Sequence, residues 1–161
     1  MDVCYINPFL YALSNFFQSM LSTKIDFGKP SIKKTDDFRA DVSGAIGFSG
    51  DASGAVVLAF HKDVAIGIAS KFACAELTVE SPDFADAIGE FANMVAGGAK
   101  ARFPNLDVNI ALPSVIIGDQ HHLASSQGHP CLTIPCRTCF GDFMVYVTLK
   151  VNKLVPVGAA L

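Results

Sequence analysis

A chain of 161 residues fits one domain around a single core, and its 51% of hydrophobic residues excludes wholesale disorder. Twelve basic residues against 15 acidic residues give a formal net charge of −3, and the basic residues are scattered along the sequence. No basic patch is visible, so nucleic acid is excluded as the main partner.

The first predicted element lies in the uncharged, phenylalanine-rich segment from Val3 to Thr23. A membrane span or signal peptide fits it poorly, because Asn7 and Pro8 interrupt the apolar run and Asp2 stands where a signal peptide needs cations. Helical spacing instead predicts an amphipathic helix. We expect its buried face to carry Phe9, Leu13, Phe16 and Met20.

Strand and helix patterns follow in turn. Apolar runs from Asp41 to Phe60, separated by glycine-containing turns, predict an antiparallel hairpin. Helical spacing from Val64 to Phe72 predicts a short helix. Next, Ser81 and Pro82 are typical of a helix start, with the serine hydroxyl as the cap, and this long helix is predicted to end near Phe103.

Two later segments, Val108 to Ile117 and Cys131 to Val151, have strand composition and are joined by a polar connection from Gly118 to Pro130. The element order predicts a single α+β domain over residues 1–161. We expect two layers, with helices packed on one face of a mainly antiparallel sheet, and a pseudo-duplicated unit. The long terminal strand, with its uninterrupted apolar alternation, predicts a homodimer formed by strand pairing.

A polar stripe runs along the second long helix. Its positions step by three and four residues and therefore share one face: Asp83, Asp86, Glu90, Asn93, Gly97 and Lys100. The opposite face carries the apolar positions Phe84, Ile88, Phe91 and Val95. Such a stripe is usually the solvent-facing side of an amphipathic helix, and spacing alone does not distinguish that interpretation from a functional one.

Two features favour a functional face. Asparagine is a mediocre helix-interior residue, and Gly97 and Gly98 each cost about 1 kcal/mol relative to alanine, which indicates a low-profile surface open to a partner's backbone. A carboxamide can hold a water without titrating, and a carboxylate can pair with a lysine. Glu90 and Asn93 are therefore candidate catalytic residues for phosphoryl transfer, where positioning supplies much of the catalysis.

The run Asp86-Ala-Ile-Gly-Glu90-Phe-Ala-Asn93, with Gly97 following, strongly resembles the signature helix of the CheC and CheX chemotaxis phosphatases, D-x-x-x-E-x-x-N. Other segments also resemble CheX: Ile6 to Phe9, Asp41 to Gly50, Gly54 to Leu58 and Leu112 to Val115. The resemblance covers nearly the whole chain and implies a CheC-like fold.

The resemblance implies a phosphatase that acts on the aspartyl phosphate of a CheY-like response regulator. Glu90 would pair with the regulator's active-site lysine, and Asn93 would orient the attacking water. Asp86 matches the motif as well, and it would cap the helix, repel a wrong partner or help docking, whereas Gly97 would let a partner's backbone approach the pair. The regulator would supply the aspartyl phosphate and Mg²⁺, so no cofactor bound by this chain is expected.

The first helix offers an internal comparison. Its residues from Ala12 to Asn15 align with Glu90 to Asn93, so the asparagine is present and the carboxylate is absent. This favours a one-site enzyme of the CheX kind over a two-site enzyme of the CheC kind. A CheC-like module that binds a regulator without hydrolysing it stays open as the alternative function.

The five cysteines are an odd number in a chain without a secretory signal, which predicts reduced thiols and a cytoplasmic protein. Cys136 and Cys139 have C-x-x-C spacing, and His121, His122 and His129 lie upstream, so a metal-dependent sensor is a third hypothesis. A second C-x-x-C is missing, and in an extended strand the two thiols would face opposite sides. We therefore expect no metal site.

Overall fold

The computed structural model describes residues 3–32, 38–123 and 130–152, which contain three helices and eight strands. The helices are α1 (Val3–Met20), α2 (Lys62–Ala73) and α3 (Pro82–Lys100). The strands are β1 (Ile25–Phe27), β2 (Ser31–Ile32), β3 (Ala40–Gly50), β4 (Ala52–Phe60), β5 (Val108–Ile110), β6 (Ser114–His121), β7 (Leu132–Thr138) and β8 (Gly141–Val151).

The eight strands form one sheet in the order β1-β7-β8-β4-β3-β5, with β2 also on β7 and β6 also on β3. Every described pair is antiparallel. The helices share one hydrophobic core with the sheet, so the predicted two-layer α+β architecture is confirmed.

The sheet order reveals the predicted duplication. A helix followed by four strands occurs twice, as α1 with β1–β4 and as α3 with β5–β8. The hairpins β3–β4 and β7–β8 meet at the centre through β4 and β8. Strands β1 and β2 of the first half pair with β7, and β5 and β6 of the second half pair with β3. The two halves therefore exchange strands and fold as one unit.

Phenylalanine rings join the long helices to each other and to the sheet. The rings of Phe16 in α1 and Phe91 in α3 stack with centroids 4.0 Å apart, and both side chains are at most 1% exposed. Phe60 in β4 and Phe143 in β8 continue the cluster below the helices. Because interiors pack at near-crystalline density, this cluster holds α3 in a defined position on the sheet.

The predicted buried face of α1 is confirmed for Phe9, Leu13 and Phe16 and is wrong for Met20, which is 44% exposed. Met20 is the last residue of the helix, and the chain turns there toward β1, so the core stripe ends one turn earlier. The apolar residue that closes this end of the core is Leu21, which is fully buried just beyond the helix.

The long terminal strand does not offer a free edge. Strand β8 is hydrogen-bonded to β7 along one side and to β4 along the other, so the prediction that this strand pairs two subunits is wrong. Its apolar alternation reflects a central position instead: Phe143, Val145, Val147 and Leu149 are buried against the helices.

The predicted strand from Val108 to Ile117 is interrupted. Residues 111–113 separate β5 from β6, because Pro113 has no N–H for a sheet ladder. Strand β6 then continues to His121, into the segment that the sequence predicted as a connection. The rest of that predicted connection includes residues 124–129, which lie outside the described part of the chain.

Candidate active site

Helix α3 begins with Ser81 as its N-cap residue and Pro82 at the first turn, as predicted. The predicted hydroxyl cap is wrong, because Ser81 Oγ accepts a hydrogen bond from the preceding Thr78 N–H at 2.8 Å and makes none to the helix. The helix ends at Lys100, and Phe103 lies in the turn that follows.

Polar and apolar side chains lie on opposite faces of α3, as the spacing predicted. Asp86 and Glu90 are exposed, and Asn93 and Gly97 are partly exposed on the same face. On the opposite side Phe84, Ile88, Phe91 and Val95 are fully buried. Burial of this apolar face fixes the rotation of the helix, and with it the direction in which Glu90 and Asn93 are presented.

Glu90 and Asn93 contact each other across one helical turn. Asn93 Nδ2 donates a hydrogen bond to Glu90 Oε2 at 3.4 Å, which is long and therefore weak. Within the part of the chain that the structure describes, neither side chain makes another side-chain hydrogen bond. The carboxylate and the amide carbonyl thus keep acceptor capacity for groups that arrive from solution.

Gly97 and Gly98 have different surroundings. A Cβ atom at Gly97 would meet no atom within 4 Å, so the surface one turn beyond Asn93 is open. Gly98 instead faces α1, where Ala12 lies close to it. The predicted low-profile surface is therefore confirmed for Gly97 and wrong for Gly98.

A groove of about 490 Å³ adjoins the pair. Its wall on α3 is formed by Ala85, Asp86, Gly89 and Glu90, and its other wall by Pro113 and Val115. One wall thus carries two carboxylates and the other is apolar. The sequence did not identify Pro113 and Val115 as site residues, because their place beside α3 depends on tertiary packing against Gly89.

Helix α1 presents no equivalent pair. Asn15 is exposed, but Ala12, which aligns with Glu90, is 5% exposed and packs toward α3. A carboxylate at this position would be buried between two helices, at a considerable cost in desolvation. The chain therefore presents one carboxylate and asparagine pair on these two helices, in agreement with the one-site pattern.

The residues of the sensor hypothesis do not gather at one place. Cys136 is 1% exposed, and its burial raises the pKa of the thiol to about 12, whereas Cys139 is exposed at the turn between β7 and β8. His121 bonds to Ser43 and to the backbone of Gly118. No group of three or more metal-ligating side chains occurs among the described residues, and His129 lies outside them.

Among the helices of the described segments, none is both long enough and apolar enough to cross a membrane.

Comparison with known proteins places the chain in a family. A family model described as chemotaxis phosphatase CheX matches residues 42–137. No curated protein matches the chain.

Solved structures match over almost the full fold. The CheX chemotaxis protein of Desulfovibrio desulfuricans is 30% identical with a TM-score of 0.84, over 91% of this chain and 99% of that one. A CheC-like superfamily protein of a Shewanella species is 29% identical with a TM-score of 0.85, over 93% and 99% of the two chains. The CheX of Borrelia burgdorferi, solved with CheY, BeF₃ and Mg²⁺, is 24% identical with a TM-score of 0.76, over 91% and 97%. Because the family model matches more than half of the sequence, the chain belongs to the CheX family of chemotaxis phosphatases.

Proposed function

We propose that this protein hydrolyses the aspartyl phosphate of a CheY-like response regulator and so ends a chemotaxis-type signal. The observation that carries the proposal is the hydrogen-bonded pair of Glu90 and Asn93 on the exposed face of α3. Membership of the CheX family supports the reaction class. The Borrelia burgdorferi CheX, solved with CheY, supports the class of partner.

Asn93 positions the attacking water in this mechanism. Its amide accepts a hydrogen bond through Oδ1 without titrating, while Nδ2 makes the long hydrogen bond to Glu90. The water attacks phosphorus opposite the oxygen of the regulator's aspartate, and the bond between phosphorus and that oxygen breaks. The aspartate leaves as a carboxylate, and the phosphate carries away the protons of the water. Holding the water in line lowers the entropic part of the barrier.

Glu90 positions the regulator. Its exposed carboxylate pairs with the active-site lysine of the regulator through a charge-assisted hydrogen bond, and the neighbouring Asp86 adds negative charge on the same face during docking. The open surface at Gly97 allows a backbone of the partner to approach. This chain binds no cofactor in the proposed reaction, and Mg²⁺ belongs to the phosphorylated regulator.

Phosphate release from a phosphorylated CheY-like regulator tests the proposal. Wild-type protein should accelerate release, and Glu90→Ala and Asn93→Ala should each reduce that acceleration by about a hundredfold. Asn15→Ala is the matched control, because it removes the exposed asparagine of the other long helix. Full activity of Asn93→Ala, or an equal loss in Asn15→Ala, contradicts the assigned roles.

A regulator-binding module without activity is the second candidate function, and the same exposed face supports it. Binding to a regulator activated with beryllium fluoride separates the two. If the protein is a phosphatase, Asn93→Ala should bind the activated regulator as wild type does and fail to speed the hydrolysis of its phosphate. A wild-type protein that binds the activated regulator and leaves its phosphate lifetime unchanged is the binding module.

We also propose a homodimer formed by strand pairing, now through β6. Among the described strands, β6 is the longest that has only one neighbour, and its side chains Ile116 and Ile117 are 44% and 46% exposed. An unpaired edge with apolar side chains is a ready template for a second copy. Ile116→Lys should convert a dimer to a monomer in analytical ultracentrifugation, and a wild-type monomer at micromolar concentration contradicts this proposal.

A further inference from the structure

Leu112 lies in the segment between β5 and β6 and is 88% exposed, well above any other large hydrophobic side chain among the described residues. The residues on either side of it are held in place. Ala111 N–H donates to Gly47 O at 2.9 Å, which fastens the segment to β3. The ring of Pro113 lies against α3, with Cγ 3.4 Å from the position of a Cβ at Gly89.

Single exposed apolar side chains are common on protein surfaces and need no explanation by themselves. Leu112 differs because the backbone on both sides of it is fixed in place. A backbone hydrogen bond precedes it and a proline follows it, so its backbone loses little conformational freedom when a partner binds. The structure therefore presents an apolar side chain in a preorganised position.

The position of the Leu112 side chain indicates which partner would contact it. The ring of Pro113 next to it forms one wall of the groove whose other wall carries Asp86 and Glu90. A partner that brings a phosphoryl group to Asn93 and a lysine to Glu90 must lie over this groove. The acidic wall complements the lysine, and the apolar wall suits the aliphatic stem of a long basic side chain.

We propose that Leu112 is the apolar contact through which this chain docks the receiver domain of its regulator, beside the groove that accepts the lysine. The inference rests on the proposed function and adds to it the surface that sets affinity. Leu112 makes the same contact before and during the reaction, because it lies outside the groove lined by Glu90 and Pro113. Its loss therefore weakens binding and leaves the chemical step unchanged.

Leu112→Ser tests the inference against Ile32→Ser. Ile32 is 60% exposed on β2 at the far edge of the sheet, so it is a matched apolar control. Leu112→Ser should raise both KM for the phosphorylated regulator and Kd for the beryllium fluoride-activated regulator about tenfold, with kcat within about twofold of wild type. Ile32→Ser should change neither constant.

A second variant changes the wall of the groove that α3 forms. Ala85 lines the groove on α3, and Ala85→Leu keeps a strong helix former there while it fills the groove. It should also raise KM and Kd. The oligomeric state of Leu112→Ser, measured by ultracentrifugation, should equal that of wild type, because the proposed partner at this position is the regulator.

The outcomes separate this inference from the proposed function. If Leu112→Ser leaves KM and Kd unchanged while Asn93→Ala abolishes activity, the docking contact is wrong and the phosphatase stands. A change in the oligomeric state of Leu112→Ser assigns Leu112 to a contact between copies and also overturns the inference. If wild type neither binds the regulator nor accelerates phosphate release, both the function and the docking contact are wrong.

Discussion

Gly98 in α3 faces Ala12 in α1 so closely that a Cβ atom on the glycine would lie 3.0 Å from the Cβ of the alanine. The contact brings the two long helices together beside the stacked rings of Phe16 and Phe91. Gly97, one residue earlier, has no atom within 4 Å of the corresponding position. Adjacent glycines on one helix therefore serve two purposes, one in packing and one in leaving the surface open.

The two glycines should respond in opposite directions to larger side chains. Gly97→Ala should raise the free energy of unfolding by about 0.5 to 1 kcal/mol, because alanine favours the helix and meets no neighbour. Gly98→Leu should lower it by about 1 to 3 kcal/mol, because the added atoms push α3 away from Ala12. Urea unfolding of both variants and wild type measures the difference. Stabilisation by both substitutions would contradict the packing role of Gly98.

Gly97 and Gly98 also show which features of α3 the sequence can predict and which it cannot. Helical spacing placed Glu90 and Asn93 together on one face, because that relationship depends only on the geometry of a single helix. The same spacing could not separate Gly97 from Gly98, since the packing of Gly98 depends on where α1 lies.

Tertiary contacts explain the other differences between the sequence predictions and the structure. Pro113 joins the groove beside Glu90 although 23 positions separate them in the sequence, so no local pattern could predict it. Strand β8 was predicted correctly as a long strand, but its neighbours β4 and β7 come from the sheet topology. The roles of Glu90, Asn93, Asp86 and Gly97 toward a regulator stay predictions.

Asp41 should make stability depend on acidic pH. Its carboxylate accepts hydrogen bonds from the backbone N–H groups of Gln120 at 3.0 Å and Lys62 at 2.9 Å. These bonds, and more weakly the charges of His61 and His121, lower the pKa of Asp41 below its ordinary value of 3.8. The carboxylate thereby joins β3 to the start of α2 and to the end of β6.

The lowered pKa of Asp41 in the folded state determines the direction in which stability changes with pH. The stabilisation by Asp41 is complete above the unfolded-state pKa, and it is lost as the pH falls through the lower folded-state pKa. The difference in unfolding free energy between wild type and Asp41→Asn should therefore be largest at pH 7 and shrink below about pH 4. Asp26→Asn, an exposed strand residue, is the control. A difference that stays constant from pH 7 to pH 3 would contradict the assignment.

Ser43 and His121 should stabilise the edge of the sheet. Ser43 is fully buried, and its Oγ lies 2.7 Å from His121 Nε2, while His121 Nδ1 lies 3.1 Å from Gly118 O. Because a carbonyl only accepts, Nδ1 carries the proton in the neutral ring, and Ser43 donates to Nε2. The pair thus connects β3 to the last residue of β6.

Ser43→Ala removes the donor and leaves Nε2 without its protein partner, so it should lower the unfolding free energy by about 1 kcal/mol. Backbone amides of β6 should exchange faster with deuterium, because the strand loses a contact near its end. Ser53→Ala is a suitable control, since the bond of Ser53 to Asn152 is exposed and 3.4 Å long. Unchanged exchange in β6 would show that the pair does not hold this strand.

The cysteines should divide by burial in thiol labelling of the native protein. Cys4, Cys74 and Cys139 are exposed, whereas Cys131 and Cys136 are buried. The thiolate is the reactive form, and burial raises the pKa of Cys136 to about 12, so Cys136 stays a thiol at pH 8. Iodoacetamide at pH 8 should modify the three exposed cysteines in the native protein and all five in urea, as mass spectrometry of the digested protein would show. Labelling of native Cys136 at the rate of Cys139 would contradict its place in the core. The same experiment with added Zn²⁺ tests the sensor hypothesis, which requires that the metal protect Cys139; we expect no protection, because the partner thiol is buried and protonated.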